Sequence, residues 1–404
     1  MSGAPGEQAW RRNQLVATAM VFVVFLGFAF VLPFLPLYVE ALGVTDPEQA
    51  ATWAGVLIGV SPLLAGLLAP AWGRLAERYG HKPMALRALG AYVVLLALSA
   101  AVRNPAELLA LRIGIGLFGG IGPLGLAMAT SLAPREETGR SVGLIQAAQI
   151  LSAAIGPFAG GLLADWAGMR ATFLVTSVLC ALALVLVARY YEEGRPDPAA
   201  VHHARPLREV LGLPRVLGVL VVLFLVNFIG RSFTPILPLQ LSGLGVPRER
   251  LALSTGLLIS VFSVAAAASA SGLGALSRRR SPSALLVVSL LGGAVLVLPM
   301  ALVTSFPAFL GLAALLGLAA GGSLTLCYTI GGLVVPGERR ATAFGFFSGA
   351  ALFGGAVSPS VAGLLAHVEL RAIYYVDAAL YLALAAAVAL QPAVPPAEAR
   401  EEGA

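Results

Sequence analysis

The sequence predicts an all-α polytopic membrane protein, with twelve transmembrane helices in two pseudo-symmetric six-helix bundles. Of the 404 residues, 58% are hydrophobic and 11% are charged, whereas a soluble domain carries roughly 25% charged residues. The apolar residues fall in blocks of about 20 or more, the length at which a helix crosses about 30 Å of hydrocarbon. The two halves of the chain also repeat each other. Because lipid offers no partner for unpaired backbone groups, and the blocks lack the alternation of barrel strands, the spans are predicted to be helices.

The first apolar block begins at Leu15 and is too long for the apolar region of a signal peptide, so it is predicted to be a span. The twelve predicted spans are 15–38, 51–72, 84–102, 106–132, 141–164, 171–190, 216–241, 251–273, 283–303, 307–335, 341–365 and 371–391.

Most of the 26 Lys and Arg residues lie in the loops that share a side with the N-terminus. This bias predicts that both termini are cytoplasmic and that the chain spans the inner membrane of the cell. The longest polar stretch, 191–215, is interpreted as a cytoplasmic linker between a first bundle at 1–190 and a second at 216–404. The neighbouring His202 and His203 in it are interpreted as solvated loop residues, since no further metal ligand accompanies them.

The net charge of +6 does not indicate a nucleic-acid partner, because the basic residues are spread over short loops instead of forming one surface. The expected partners are the lipid bilayer, a small-molecule substrate and protons. The chain is expected to be monomeric and to hold no cofactor and no metal.

The internal repeat appears as matched segments with an offset of about 202 positions. The sequence PFLPL at 33–37 recurs as PILPL at 235–239, and GP at 156–157 recurs as SP at 358–359. An even number of spans per half gives both halves the same orientation, so the repeats are parallel. In that arrangement the substrate site lies near the midplane between the halves, and one half rocks against the other.

The loop after span 2 reads GRLAERYGHK at 73–82. A carboxylate at this place can face the positive N-terminal end of another helix, so the segment is interpreted as a conformational latch, with simple topogenic charge as the alternative. Arg278 takes the place of the acid in the second half, so the latch is expected to be asymmetric. The latch residues are Gly73, Glu77, Arg78, Gly80 and Lys82.

Spans 4 and 5 carry two further patterns. In span 4, Arg112 lies within the apolar block and is followed by Gly116; an arginine inside a span costs at least about 2.5 kcal/mol to insert, so it needs partners or water. In span 5, a proline removes a backbone hydrogen bond and small residues permit close packing, so the helix can bend. The span-5 residues are Gly143, Gly156, Pro157, Gly160 and Gly161, with Ser152 at one expected glycine position.

Taken together, these segments resemble the major facilitator superfamily across essentially the whole chain. The loop is similar to the family's G-x-L-A-D-R-x-G-R-K motif, with Glu77 and His81 as conservative departures. The span-5 residues resemble the antiporter pattern G-x8-G-x3-G-P-x2-G-G, which marks exporters in this superfamily. The run at 32–44 looks like the MdtG-like branch of twelve-span drug efflux pumps. The resemblance implies the major facilitator fold, a latch that faces span 11, and proton coupling.

The resemblance also implies a cavity lined by spans 1, 2, 4, 5, 7, 8, 10 and 11, with the other spans outside. Each polar or aromatic residue of these spans is a candidate for substrate contact, with interhelical packing as the alternative. The candidates are Phe28, Gln146, Gln149, Asn227, Arg231, Tyr328 and Phe347.

No acid lies in the middle of span 1 or span 4, so proton coupling is implied by the resemblance and not by a residue. Asp377 in span 12 is the only acid well inside a span and is the leading candidate for the proton carrier, in a predicted polar network with Arg231. The alternatives are a static pair, Glu40, Asp165 or no single carboxylate.

These observations predict a secondary transporter that exports amphiphilic, drug-like molecules by proton antiport. A metabolite, sugar or phospholipid carrier of the same superfamily is the alternative. The chain is not expected to be an enzyme, because it lacks a paired nucleophile and base, a phosphate-binding loop and a metal cluster.

Overall fold

A computed structural model of the protein describes residues 5–130, 137–193, 215–335, 340–366, 369–392 and 394. Every regular element among these residues is a helix. Eleven helical segments are long and apolar enough to cross a membrane, and a bent pair, Val216–Ser232 and Leu237–Gly243, makes twelve. The predicted class of an all-α polytopic membrane protein is therefore confirmed.

The first six spans contain eight helices. They are α1 (Pro5–Val31) and α2 (Leu35–Ala41) in span 1, α3 (Pro47–Tyr79) in span 2, α4 (His81–Ser99) in span 3, α5 (Pro105–Leu117) and α6 (Ile121–Thr130) in span 4, α7 (Thr138–Ala167) in span 5 and α8 (Met169–Tyr190) in span 6.

The second six spans repeat this order. They are α9 (Val216–Ser232) and α10 (Leu237–Gly243) in span 7, α11 (Leu251–Leu276) in span 8, α12 (Pro282–Met300) in span 9, α13 (Phe306–Ala320) and α14 (Ser323–Val334) in span 10, α15 (Arg340–Leu365) in span 11 and α16 (Ala372–Ala389) in span 12.

The interrupted spans occupy matching places in the two halves. Spans 1 and 7 break at the repeated PFLPL and PILPL segments, because proline lacks the amide that would continue the helical hydrogen bonds. Spans 4 and 10 break at glycine pairs, 119–120 and 321–322. Gly120 has a φ of +110°, a conformation that favours glycine. The repeat seen in the sequence thus reappears as a repeat of broken helices.

Backbone proximity groups the chain into two units that differ slightly from the predicted halves. One unit contains 1–44, 60–202 and 252–260, and the other contains 45–59, 203–251 and 261–404. The start of span 2 therefore groups with the second unit and the start of span 8 with the first. Apart from 191–193 and 215, the predicted linker lies outside the described residues.

Candidate functional site

Span 5 lies directly on the backbone of span 1 at its glycines. A Cβ atom placed on Gly160 would lie 2.5 Å from the carbonyl oxygen of Phe30, and one on Gly156 would overlap the side chain of Ala29. Ser152, which stands at one expected glycine position, donates a hydrogen bond of 2.9 Å to the carbonyl of Phe22. Larger side chains at these positions would force the two helices apart.

The proline of span 5 meets the beginning of span 8. A Cβ atom on Gly256 would lie 2.7 Å from the carbonyl carbon of Pro157, and one on Gly161 would lie 2.6 Å from the carbonyl oxygen of Ala252. The hydroxyl of Ser260 accepts the amide of Phe158 at 3.1 Å. This contact between spans 5 and 8 therefore consists of backbone on backbone.

The second repeat makes the same contact between spans 2 and 11. A Cβ atom on Gly55 would lie 2.8 Å from the carbonyl carbon of Pro359, and one on Gly363 would lie 2.6 Å from the carbonyl oxygen of Ala51. Thr52 also donates a hydrogen bond of 3.0 Å to the carbonyl of Gly363. By contrast, Gly143 of the span-5 pattern is exposed, and no described atom lies within 4 Å of a Cβ placed on it.

The end of the 73–82 motif binds an acid that sequence reasoning placed in the linker. The carboxylate of Glu193 accepts the backbone amides of His81 at 2.9 Å and Lys82 at 2.6 Å, and lies 3.4 Å from His81 Nδ1. Lys82 Nζ donates to the carbonyl of Tyr191 at 2.7 Å. Gly80, with a φ of +95°, turns the chain into this arrangement. Glu193 thus caps the N-terminus of span 3, where a negative charge is favourable.

Hydrogen bonding controls the ionisation of Glu193. Burial alone would raise its pKa, but the hydrogen bonds from the His81 side chain and from the amides of Lys82 and His81 outweigh burial and lower the pKa below its ordinary value. The carboxylate therefore stays charged at neutral pH.

Glu192, the residue before Glu193, anchors the end of span 6 to the start of span 1. Arg12 forms an ion pair with the carboxylate of Glu192, while Asn13 bonds the backbone of Glu192 at 2.7 and 3.0 Å. The end of span 6 is thereby bonded to the beginnings of spans 1 and 3, all within one unit.

The remaining motif residues before Gly80 make fewer contacts. Gly73 is exposed and has nothing within 4 Å of its Cβ position, and the guanidinium of Arg78 lies 5.3 Å from the ring of Tyr79. The side chain of Glu77, the predicted latch acid, lies outside the described residues.

Arg112 is 2% exposed in the middle of α5, the first helix of span 4. Its Nε and Nη2 atoms have no hydrogen-bond partner in the described part of the chain. Gly116, one turn later, lets span 4 approach span 2, since a Cβ there would lie 2.8 Å from the carbonyl oxygen of Ser61. Ser61 in turn donates a bond of 2.6 Å to the carbonyl of Arg112.

A second arginine, Arg87 of span 3, stabilises the break in span 4. The guanidinium carbon of Arg87 lies 3.5 Å from the ring centre of Trp72, and its Nη2 donates to the carbonyl of Phe118 at 3.3 Å. Trp72 Nε1 donates to the carbonyl of Leu117 at 2.9 Å. These donors satisfy carbonyls at the end of α5, which a break within lipid would leave without partners.

The predicted cavity residues of the first unit separate into two kinds. Phe28 packs edge-on against Tyr92 of span 3 at 5.1 Å, so its ring is an interhelical contact. Gln149 is half-buried beside Gly122, and Gln146 is exposed. Of these three candidates, Gln146 and Gln149 are therefore the accessible polar side chains.

In the second unit, two of the polar cavity candidates are on span 7. Arg231 is exposed, and the amide nitrogen of the half-buried Asn227 has no partner among the described residues. Gly355 of span 11 lies beside both side chains.

The aromatic candidates of the second unit form a stack. Phe344 stacks on Tyr328 at 5.9 Å and meets Phe347 edge-on at 5.6 Å. Phe347 is fully buried against Gly331 and therefore packs between helices, whereas Tyr328 is half-buried.

The predicted network between Arg231 and Asp377 is wrong. Asp377 is fully buried, and its Oδ2 atom lies 2.5 Å from the hydroxyl of Ser232, the residue after Arg231. Arg231 is exposed, and within the described residues no ion pair joins it to Asp377. Adjacent helical residues point about 100° apart, which is why one faces span 12 and the other does not.

The two alternative acids lie at the ends of spans. Asp165 is exposed and accepts the backbone amide of Leu253 at the start of α11, so it caps that helix. Glu40 is half-buried at the end of α2.

Twelve apolar spans in two repeated halves, with matched helix breaks and a few charges held inside, define a polytopic membrane transporter of small molecules. Residues 17–306 and 251–404 match the Major Facilitator Superfamily, and the chain belongs to this superfamily of secondary transporters. It is accordingly a multi-pass protein embedded in the lipid bilayer and not an enzyme.

Sequence similarity to known proteins extends over most of the chain. The "Multidrug resistance protein MdtG" of Serratia proteamaculans is 37% identical over 335 residues, which cover 82% of this chain and 81% of the relative. The protein of the same name from Salmonella heidelberg is 33% identical over 381 residues, covering 92% and 93%. The predicted resemblance to MdtG-like transporters is confirmed.

Solved structures share the fold at low identity. A bacterial homologue of the human lysosomal transporter Spinster, in an inward-facing and unoccupied conformation, has a TM-score of 0.78 at 16% identity and covers 96% of this chain and 97% of its own. A D-xylose–proton symporter has a TM-score of 0.75 at 16% identity, covering 96% and 99%.

Proposed function

We propose that this transporter exports amphiphilic, drug-like small molecules by proton antiport, through rocker-switch alternating access. In this proposal the chain acts as a monomer in the inner membrane of the cell, with both termini in the cytoplasm. The name of its relatives, multidrug resistance protein, supports the substrate class. A binding surface with few polar groups also suits amphiphiles, because burial of apolar area dominates and strict hydrogen-bond matching is absent.

The span-5 segment is the observation that carries the direction of transport. Its pattern resembles that of exporters, and its glycines and proline contact the backbones of spans 1 and 8. Backbone contacts of this kind lack interlocking side chains, and Pro157 lacks the amide that would stiffen the helix. Span 5 is therefore suited to bend and slide as the cavity changes its access.

The second moving part is the segment after span 2. Glu77 acts as the latch acid in this proposal, and the structure adds Glu193, whose carboxylate holds the beginning of span 3. Removing the charge in Glu77→Gln should shift the population toward the inward-open state, because the carboxylate favours closure on the cytoplasmic side. Cysteine accessibility near the cytoplasmic mouth should then rise; unchanged accessibility would make Glu77 merely topogenic.

The direction is tested by the accumulation of a lipophilic dye in cells. Expression of the protein should lower dye accumulation, and Pro157→Ala should weaken this effect. Pro299→Ala, which changes a proline inside span 9, is the matched control and should export as the wild type does. Higher accumulation in expressing cells would reverse the assignment to uptake.

Coupling and substrate class are tested in proteoliposomes. Substrate-dependent proton movement should appear with lipophilic cations or zwitterions and be absent with sugars. A response confined to sugars, metabolites or phospholipids would replace the drug proposal with the alternative carrier.

A further inference from the structure

Asp377 is a buried acid that forms no ion pair within the described part of the chain. It is 0% exposed, and its Oδ1 atom has no hydrogen-bond partner among the described residues. Its own helix contributes Tyr374 and Tyr381 on the same face. The helices packed against its helix α16 are α9, α12 and α15, and Phe309 of α13, a helix without titratable residues, meets the ring of Tyr374. Of these, α12 has no titratable residue, α9 has only the exposed Arg231, and α15 has only Arg340 at its first position.

An ionised carboxylate at position 377 would have too few hydrogen-bond donors to stabilise its charge. Among the described residues, its one hydrogen-bond partner is the hydroxyl of Ser232, whereas a buried charge needs an opposite charge or several donors. A neutral carboxylic acid needs much less, because one donor and one acceptor satisfy most of its capacity. The surroundings of Asp377 therefore favour the protonated form.

The hydroxyl of Ser232 shows where that proton is used. Its Oγ lies 2.5 Å from Asp377 Oδ2 and 2.8 Å from the carbonyl oxygen of Ile229. A hydroxyl has one proton, so it can donate fully to only one of these two acceptors. If Asp377 is protonated, it donates to Ser232, and Ser232 donates to Ile229. Both contacts are then hydrogen bonds.

We infer that Asp377 carries a proton in this structure, and that this proton completes a hydrogen-bond chain through Ser232 to the carbonyl of Ile229 at the bend of span 7. When the proton leaves, the Ser232 hydroxyl turns to donate to the carboxylate. The carbonyl of Ile229 then loses its donor.

The hydrogen bonds from Asp377 through Ser232 to Ile229 lie where span 7 changes direction. Ser232 is the last residue of α9, and the next helix of span 7 is bent from it by 42°. The amide of Phe233 donates to the carbonyl of Arg231, so it does not continue the helix by bonding Ile229. A free carbonyl at a helix end inside a membrane needs another donor, and Ser232 supplies it. Proton occupancy at Asp377 is thus linked to the capping of α9.

The first half has the same link without the acid. Ile229 corresponds by the repeat to Gly27, whose carbonyl accepts a bond of 2.9 Å from the hydroxyl of Thr176 in span 6. Thr176 also contacts the carbonyl of Thr172 at 2.7 Å, and neither of its two acceptors can carry a proton. The link between spans 1 and 6 is therefore insensitive to pH, whereas the link between spans 7 and 12 titrates.

The protonation is tested by infrared spectroscopy of the purified protein in nanodiscs at neutral pH. The wild type minus Asp377→Asn difference should contain the carbonyl stretch of a protonated carboxylic acid. Ser232→Ala should shift the frequency of this band without removing it, because the acid loses its partner. Ser358→Ala is the matched control, since it removes a buried hydroxyl bonded to the neighbouring carbonyl of Phe228 and should leave the band unchanged. The Ser232 and Ser358 comparison is made on the intact acid, so it stands even if Asp377→Asn folds poorly.

The role in transport rests on the proposed proton antiport and is measured separately. The side-chain amide of Asp377→Asn can donate to Ser232 as the protonated acid does, so substrate exchange without a gradient should persist while gradient-driven transport is lost. A carboxylate signal at neutral pH, or a Ser232→Ala band at the wild-type frequency, would overturn the inference. If the acid band is present and the wild type moves no protons, the inference stands and the proposed proton antiport fails.

Discussion

Gly256 offers a direct way to disturb the contact between spans 5 and 8. In Gly256→Ala the added Cβ atom would lie 2.7 Å from the carbonyl carbon of Pro157, whereas ordinary contacts of this kind begin at 3.4 Å. The helices must therefore separate by on the order of 1 Å, an overpacking strain of about 1–3 kcal/mol. Because the strain exists only where the contact is closed, it should raise the population of states with this contact open by about 5- to 150-fold.

The population is measured with a cysteine placed in the contact. Ala252 is 5% exposed beside Gly161, so Ala252→Cys should react with a maleimide only when the contact opens. The two native cysteines are buried and contribute little background. Gly256→Ala should speed the labelling, while Gly272→Ala on the same helix, where nothing lies within 4 Å, should not. Equal labelling rates in a well-folded Gly256→Ala protein would refute the reasoning, because the contact would then yield without cost.

Two further predictions concern charges at the ends of spans. Glu193→Gln should lower the thermal stability of the purified protein in detergent by about 1–2 kcal/mol at neutral pH, as charged hydrogen bonds at a helix N-terminus are lost, whereas Glu192→Gln breaks an exposed ion pair and should cost under about 1 kcal/mol. Folding lowers the pKa of Glu193, so its contribution to the free energy of unfolding is present above the ordinary glutamate range and is lost as pH falls through the folded pKa. The unfolding free energies of the wild type and Glu193→Gln should therefore converge below about pH 4. A constant difference between them across pH would contradict this account. Arg87→Lys should destabilise the protein by about 1–3 kcal/mol, because lysine replaces neither the flat stacking on the tryptophan nor the directed bond to the span-4 break. Arg74→Lys is the control, since within the described residues the Arg74 side chain bonds a carbonyl of its own helix; it should leave unfolding unchanged, and equal effects of the two substitutions would remove the special role of Arg87.

Local chemistry made the fold predictable from sequence. Apolar length alone defines a span, since few other structures satisfy the backbone in lipid. The breaks of spans 1 and 7 follow from the repeated prolines, and the contacts of Gly156 and Gly160 follow from the absence of side chains at close approach.

The partners of the charged residues were less predictable, because span positions fix depth and leave rotation open. Arg231 and Asp377 lie on helices that pack together, yet the helix turns by about 100° per residue, and Ser232 is the residue that faces the acid. Glu193 was missed for a different reason. It stands in a polar stretch without periodicity, and only tertiary structure brings its carboxylate to the amides of span 3.

The internal repeat separates residues that serve the scaffold from residues that carry chemistry. Gly55 and Gly256 occupy matching places, and each lies against the carbonyl of a matching proline, so both halves use the same backbone contact. Such symmetry fits a part that must move alike in both halves. The link at Gly27 and Ile229 is different, because a threonine supplies it in the first half and a serine held by an acid in the second. Because the acid is present only at Ile229, the link of the second half responds to pH and the matching link of the first half does not. This asymmetry within a symmetric frame would suit the proposed proton antiport, since protonation would then act on one half and not stabilise both halves equally.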